Sequence, residues 1–131
     1  MKRILLALFV LIGLQSFASA QGLPSWSLWQ NQRGSTLEVY FVDPSGPFSG
    51  TFTNQAQGYQ CKGIPYPASG ISRGASVTFA VTFTQCFSHT TWFGVVNGNT
   101  NTMKTNWILI YSPPNGPPQR STGTDIFTRV R

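Results

Sequence analysis

The sequence predicts an all-β protein, and more specifically an eight-stranded antiparallel up-and-down β-barrel. Its 131 residues are 14% aromatic and 9% charged, and they include 13 glycines and 9 prolines. Strands favour aromatic and β-branched residues while turns require glycine and proline, so this composition is typical of a turn-rich β fold. About eight short strand-like runs follow one another, and no long helical period competes with them. Closing such a series of hairpins into a barrel removes the exposed sheet edges.

The first 20 residues are predicted to be a secretory signal peptide. Lys2 and Arg3 precede an apolar run over residues 4–14, and residues 18–20 read Ala-Ser-Ala, a typical cleavage site. The run is too short to span a bilayer. Cleavage leaves residues 21–131 as a single domain that is secreted or periplasmic, the alternative being an uncleaved anchor.

In the first half of the chain, short strands alternate with recognisable turns. Asp43-Pro44-Ser45-Gly46 is a turn in which proline fixes one backbone angle and glycine accepts a positive one. Residues 55–67, with two prolines, are predicted to form a longer loop. The four strands are predicted at residues 27–31, 36–42, 48–54 and 68–72.

In the second half, the clearest alternation lies in residues 76–84. Their apolar face consists of Val77, Phe79, Val81 and Phe83. Asn97-Gly98-Asn99 is the strongest hairpin signal in the chain, and residues 112–123 are predicted to be a proline- and glycine-containing loop. The last three strands are predicted at residues 90–96, 102–111 and 124–130.

These last three strands carry apolar residues on both faces. A contiguous outward patch of this kind is one that a soluble monomer avoids. The pattern therefore predicts an interface between two copies, with incidental exposure as the alternative. The outward residues are Phe93, Val95, Ile108, Ile110 and Ile126.

Charge and composition exclude several classes of function. The basic residues behind the net charge of +6 are scattered rather than striped, which is no argument for nucleic acid. One histidine and two cysteines do not provide metal-site spacing. With three acidic residues, one histidine and no serine in a nucleophile-elbow context, the chain is not expected to be an enzyme.

Cys61 and Cys86 are the only two cysteines. Export would place them in an oxidising compartment, so a disulfide between them is expected. By loop-entropy arithmetic, a bridge closing about 25 residues adds roughly 3–3.5 kcal/mol to the free energy of unfolding.

The most informative stretch is Trp29-Gln30-Asn31-Gln32-Arg33-Gly34-Ser35. Strand alternation sends Trp29 and Asn31 to one face, and Ser35 can rejoin that face after the turn at Gly34. Two hydrogen-bonding groups beside an aromatic wall suit a small polar ligand, although taken alone Asn31 and Ser35 could also be turn-capping residues.

The pattern Trp-x-Asn-x-x-Gly-Ser resembles the opening hairpin of the avidin and streptavidin family, which binds biotin. Four further motifs resemble later strands of the family in the same order. They are Phe48-Ser-Gly-Thr-Phe52, Ser88-His-Thr90-Thr-Trp92, Thr105-Asn-Trp107 and Thr124-Asp125-Ile-Phe127-Thr. The loop around Cys61, the following Pro65-Tyr66-Pro67 and the second cysteine look most like the rhizavidin-type dimeric avidins.

The resemblance implies a biotin site with polar groups at one end. Asn31 and Ser35 would donate hydrogen bonds to the ureido oxygen, and Asp125 would accept one from a ureido N–H. Thr90 would face the thioether sulfur. This is the chemistry of a pocket with aromatic walls and a few convergent polar groups.

The remaining site residues are likewise implied by the resemblance. Trp92, Trp107 and Phe83 would form apolar walls, with Phe83 standing where the family usually has tryptophan. The valeryl chain and its carboxylate would lie near Asn54, Ala56 and Ser88. Taken alone, a tryptophan at strand spacing such as Trp107 is more often a core residue.

Two departures from the family pattern stand out. Phe52 replaces a tyrosine that donates a third hydrogen bond to the ureido oxygen, and losing it should cost about 1–3 kcal/mol. Residues 112–123 lack the tryptophan that caps the neighbouring subunit's site in tetrameric members, which favours a dimer. The alternatives are the same barrel binding another small cyclic or peptide ligand, or an inhibitor barrel acting through residues 112–123.

Overall fold

A computed structural model describes residues 22–131, which form a closed antiparallel barrel with its eight strands in sequence order. The all-β barrel prediction is therefore confirmed. The expected signal peptide, residues 1–20, lies outside the described residues. Within them, no helix has the length and apolarity needed to cross a membrane. The strands are β1 Leu28–Asn31, β2 Thr36–Val42, β3 Pro47–Thr53, β4 Pro65–Arg73, β5 Ser76–Phe83, β6 Ser88–Asn97, β7 Thr102–Tyr111 and β8 Gln119–Arg129.

The predicted alternation builds the core. Every second residue of β5 is buried and the residues between them are exposed. Phe79 of β5 stacks on Trp92 of β6, with ring centroids 4.8 Å apart and planes 9° from parallel. Phe52 of β3 packs against the same indole at 4.6 Å. This aromatic cluster fills the barrel interior and ties β3, β5 and β6 together.

The loop predicted at residues 55–67 is too long, because β4 already begins at Pro65. Pro65 and Pro67 lie opposite Thr53 and Thr51 of β3, whereas the pairing of β4 with β5 starts only at Ala68. This part of β4 is thus paired on one side only. A strand tolerates proline in such a position because the missing N–H would have had no partner.

The loop predicted at residues 112–123 is wrong over its last part, because β8 begins at Gln119. Its first four residues are polar and exposed, so no apolar alternation marks them as a strand. They are held instead by regular pairing with β7, which begins with Tyr111 opposite Gln119. Only residues 112–118 remain as an exposed loop.

Four connections meet at one end of the barrel, where the polar residues of the first hairpin also lie. Two of them are joined by the predicted disulfide between Cys61 and Cys86, whose Cα atoms are 6.1 Å apart. Cys86 ends a short 3-10 turn, Thr84–Cys86, between β5 and β6. The disulfide therefore holds the loop after β3 against the turn before β6, beside the opening of the barrel.

Candidate functional site

The barrel contains a cavity of about 310 Å³ at the end where these connections meet. This volume lies at the lower end of the range of small-molecule sites, about 300–1,000 Å³. Nine of the eleven residues predicted for the site line it. They are Asn31, Ser35, Phe52, Asn54, Ala56, Thr90, Trp92, Trp107 and Asp125.

The turn between β1 and β2 presents two hydrogen-bond donors to the cavity. Oδ1 of Asn31 accepts from the backbone N–H groups of Arg33 and Ser35, at 3.0 and 2.9 Å. This fixes the amide so that its Nδ2 group is left to donate. Oγ of Ser35 accepts from the backbone N–H of Gln55 at 2.8 Å, which leaves the hydroxyl hydrogen to donate. The hydrogen bonds within the turn therefore leave Asn31 and Ser35 to act as donors toward the cavity.

β8 presents the complementary acceptor. The Asp125 side chain is only 3% exposed, and its Oδ2 accepts from Trp92 Nε1 at 2.8 Å. Its Oδ1 accepts from Gln32 Nε2 at 2.9 Å and forms an ion pair with Arg33. Charge-assisted bonds of this kind offset the cost of burying a carboxylate. The site thus places a fixed negative acceptor together with two neutral donors.

The walls of the cavity are aromatic, and one of them depends on a glycine. Trp107 of β7 lies across Gly123 of β8, where an added Cβ would come within 2.3 Å of the indole Cζ2. Its Nε1 is the one buried side-chain nitrogen or oxygen among residues 22–131 that has no hydrogen-bond partner. Contact with the β8 backbone at Gly123, rather than a hydrogen bond of the indole, therefore sets the position of Trp107.

Ser88 and Phe83 are the two predicted site residues that do not line the cavity. The Ser88 hydroxyl is hydrogen-bonded to the Tyr59 hydroxyl at 2.6 Å. Phe83 is fully buried and meets the Tyr59 ring edge-on, with centroids 5.5 Å apart. Both therefore lie behind Tyr59, and the Tyr59 side chain lines the cavity instead of them.

Tyr59 is a cavity residue that the sequence analysis missed, because the loop between β3 and β4 has no periodicity to indicate an inward side chain. Its position close to Cys61 in the sequence was the one signal that could have placed it near the cavity opening. Burial raises the pKa of the Tyr59 hydroxyl above its usual value, and the nearby Tyr66 acts in the same direction, while the bond to Ser88 opposes them. With its pKa raised, the phenol is neutral at physiological pH.

Arg33 is the second important omission. It lines the cavity, although it lies in a turn, where strand alternation does not indicate the direction of a side chain. Its position between Asn31 and Ser35 was the signal that could have identified it. Three further lining residues were also not predicted, namely Gln57, Gly58 and Leu109. Across residues 22–131, no cluster of three histidine, cysteine or acidic side chains could hold a metal ion.

Comparisons with known proteins agree on one family. A family model described as the avidin family matches residues 19–130. Afifavidin from Afifella pfennigii is 36% identical over 121 residues, which span 86% of this chain and 74% of that protein. A solved bradavidin2–biotin complex is 49% identical, with a TM-score of 0.76, over 83% of this chain and 100% of that one. A rhizavidin–biotin complex is 38% identical, with a TM-score of 0.74, over 82% and 93%.

We predict that Gly123→Ala moves Trp107, because the new methyl group and the indole cannot occupy the same space. Overpacking of this kind should lower the free energy of unfolding by about 1–3 kcal/mol. Denaturant titration measures the loss, and tryptophan fluorescence reports the changed environment. Gly116→Ala, in the loop before β8, is the milder control: its added Cβ would lie 3.3 Å from Pro113 Cγ and away from Trp107, so the indole environment should not change. An unchanged indole position in a crystal structure of the Gly123 variant would contradict this account.

Proposed function

Because this chain belongs to the avidin family, we propose that it is a non-catalytic protein that binds biotin in the barrel cavity. Two solved relatives are complexes with biotin, and they are 49% and 38% identical to this chain. The observation that carries the proposal is the pairing of two donors with one buried acceptor inside an aromatic-walled cavity. A ureido group, with a carbonyl oxygen next to N–H groups, is complementary to that arrangement.

At the ureido end, Asn31 and Ser35 donate to the oxygen of biotin while Asp125 accepts from a ring N–H. Both interactions draw electrons in the same direction, toward the ureido oxygen. Donors fixed in advance by the surrounding backbone stabilise that charge without reorganising, as in an oxyanion hole. The hydrogen bonds that fix the Asn31 and Ser35 oxygens support this assignment of donors.

The rest of the ligand is assigned to the remaining lining residues. Trp92, Trp107 and Phe52 cover the bicyclic ring, and the hydroxyl of Thr90 faces its sulfur. The valeryl chain runs past Asn54 and Ala56 in the loop after β3. Asn54 Oδ1 accepts from the Ala56 N–H at 2.8 Å, which gives this part of the loop a fixed shape. Ser88 and Phe83 act on the ligand through Tyr59, against which both pack.

Export is the second part of the proposal. The chain is secreted or delivered to the periplasm, with residues 1–20 removed and residues 21–131 forming the mature barrel. The disulfide between Cys61 and Cys86 supports this location, since such bridges persist in oxidising compartments.

A homodimer is the third part. The five outward apolar residues lie on the adjacent strands β6, β7 and β8, and three of them are well exposed: Phe93 at 42%, Val95 at 57% and Ile126 at 48%. Ile108 and Ile110 are half-buried further along β7, opposite Thr91 and His89 of β6. Covering this surface with a second copy would remove the apolar groups from water.

The function is tested by thermal unfolding with and without biotin. A ligand that binds only the folded state raises the melting temperature as its concentration increases. We expect a clear rise for the parent protein and a smaller one for Asp125→Ala, which leaves a ureido N–H without its acceptor. Asp43→Ala removes an exposed carboxylate at the opposite end of the barrel and should behave like the parent. If biotin does not shift the parent's melting temperature, the proposed function is wrong.

Phe52→Tyr is predicted to tighten biotin binding. Phe52 is 1% exposed and lines the cavity, so a hydroxyl added to its ring can supply a third donor to the ureido oxygen. A hydrogen bond to a charge-bearing oxygen in a dry site should contribute about 1–2 kcal/mol, mainly as slower dissociation. Comparing biotin off-rates of the parent and the variant measures this. Dissociation no slower than from the parent would show that the ureido end does not lie against residue 52.

The dimer is tested by placing charges on β7. Replacing Ile108 and Ile110 together, one by glutamate and one by lysine, should give monomers, because charged groups are costly to bury in an apolar interface. Light scattering reports the mass. Ile71→Glu, on the outward face of β4, is the control and should leave the dimer intact. A tetrameric parent protein would contradict the dimer.

A further inference from the structure

The barrel wall is incomplete between β1 and β8. β1 pairs with β8 over only three positions, from Trp29 opposite Arg129 to Asn31 opposite Phe127. β8 extends on toward the cavity opening and pairs there only with β7. Beyond Asn31, backbone pairing therefore does not close the wall on this side. We call this gap, between the β1–β2 turn and residues 119–126, the seam.

Side chains of the turn close the seam. The Gln32 amide makes the kind of hydrogen bonds to β8 that a neighbouring strand would make. Its Oε1 accepts from the Ile126 backbone N–H at 2.9 Å, and its Nε2 lies 3.3 Å from the Thr124 carbonyl oxygen. Arg33 reaches across next to it, forming the ion pair with Asp125. Its guanidinium carbon lies 5.8 Å from the centre of the Trp107 ring, within cation–π range.

The Arg33 side chain reaches from the solvent to the cavity. It is 42% exposed, and it also lines the cavity. The two partners that it joins, Asp125 and Trp107, lie on β8 and β7 and belong to the proposed ligand site. A planar guanidinium can pair with a carboxylate and lie on an indole at the same time, which a lysine ammonium does less well.

We propose that Arg33 is a ligand-retaining wall residue, which seals the seam and slows the release of biotin. The inference rests on the proposed function, because it concerns the same cavity. It assigns to Arg33 a role in the lifetime of the complex rather than in recognition of the ureido group.

Arg33 can keep this position while a ligand is bound. A carboxylate offers about four lone-pair positions. Gln32 and Arg33 use those of Oδ1, and Trp92 uses one on Oδ2. One position on Oδ2 is left for a single ligand N–H, so the ligand and Arg33 do not compete for the same oxygen.

The seal should depend on ionic strength. An ion pair with one partly exposed member is weakened by salt, since ions screen the exposed charge. Opening of the seam, and with it the escape of the ligand, should therefore be faster at high salt. A role of Arg33 confined to folding would change the melting temperature without giving the off-rate this dependence.

The experiment measures biotin off-rates at low and high salt for the parent, Arg33→Leu, Arg33→Lys and Arg73→Leu. We expect release roughly tenfold faster from Arg33→Leu, as for the loss of a charge-assisted contact, and no further effect of salt. Arg33→Lys should lie between that variant and the parent. Arg73 is exposed at the end of β4, away from the seam, and does not line the cavity, so its variant should match the parent. Melting temperatures without biotin show whether each variant is folded.

Two results would overturn the inference. Release from Arg33→Leu at the parent rate would mean that the seam does not limit escape. Slower release would mean that Arg33 competes with the ligand for Asp125. Failure of the parent protein to bind biotin is a different result, which would overturn the proposed function together with this inference.

Discussion

The buried carboxylate of Asp125 is the constraint on which the rest of the cavity depends. Among residues 22–131 it is the one charged side chain that the barrel buries. A buried charge is tolerated only when it is paired and hydrogen-bonded. Its partners come from β6, through Trp92, and from the β1–β2 turn, through Gln32 and Arg33. Satisfying one carboxylate therefore fixes the relative positions of the three elements that form the polar end of the cavity.

The same requirement links local sequence to barrel closure. β1 is only four residues long, so it cannot accompany β8 to the opening. The turn after β1 is held by Asn31, whose Oδ1 accepts two backbone N–H groups. With its backbone fixed in this way, the turn directs Gln32 and Arg33 sideways to β8. Asn31 thus presents a donor to the cavity and also positions the side chains that close the wall.

The fold and most of the site's residues could be predicted because they follow strand periodicity and recognisable motifs. Val77 to Phe83 alternate as a half-buried strand must, and Trp92, Trp107 and Asp125 lie at inward strand positions. The misses have a common cause. Residues 119–122 are polar strand residues held by backbone pairing, which has no side-chain signature. Tyr59 and Arg33 belong to a loop and a turn, where the direction of a side chain depends on tertiary contacts rather than on period.

One loop and one disulfide shape the opening of the cavity. The loop after β3 covers it with Tyr59, and the disulfide at Cys61 holds that loop to the turn before β6. The Tyr59–Ser88 hydrogen bond adds a second attachment close to the first. None of the lining residues lies among the five outward apolar residues of β6 to β8. The proposed ligand site and the proposed contact between two copies would therefore use opposite faces of the same strands.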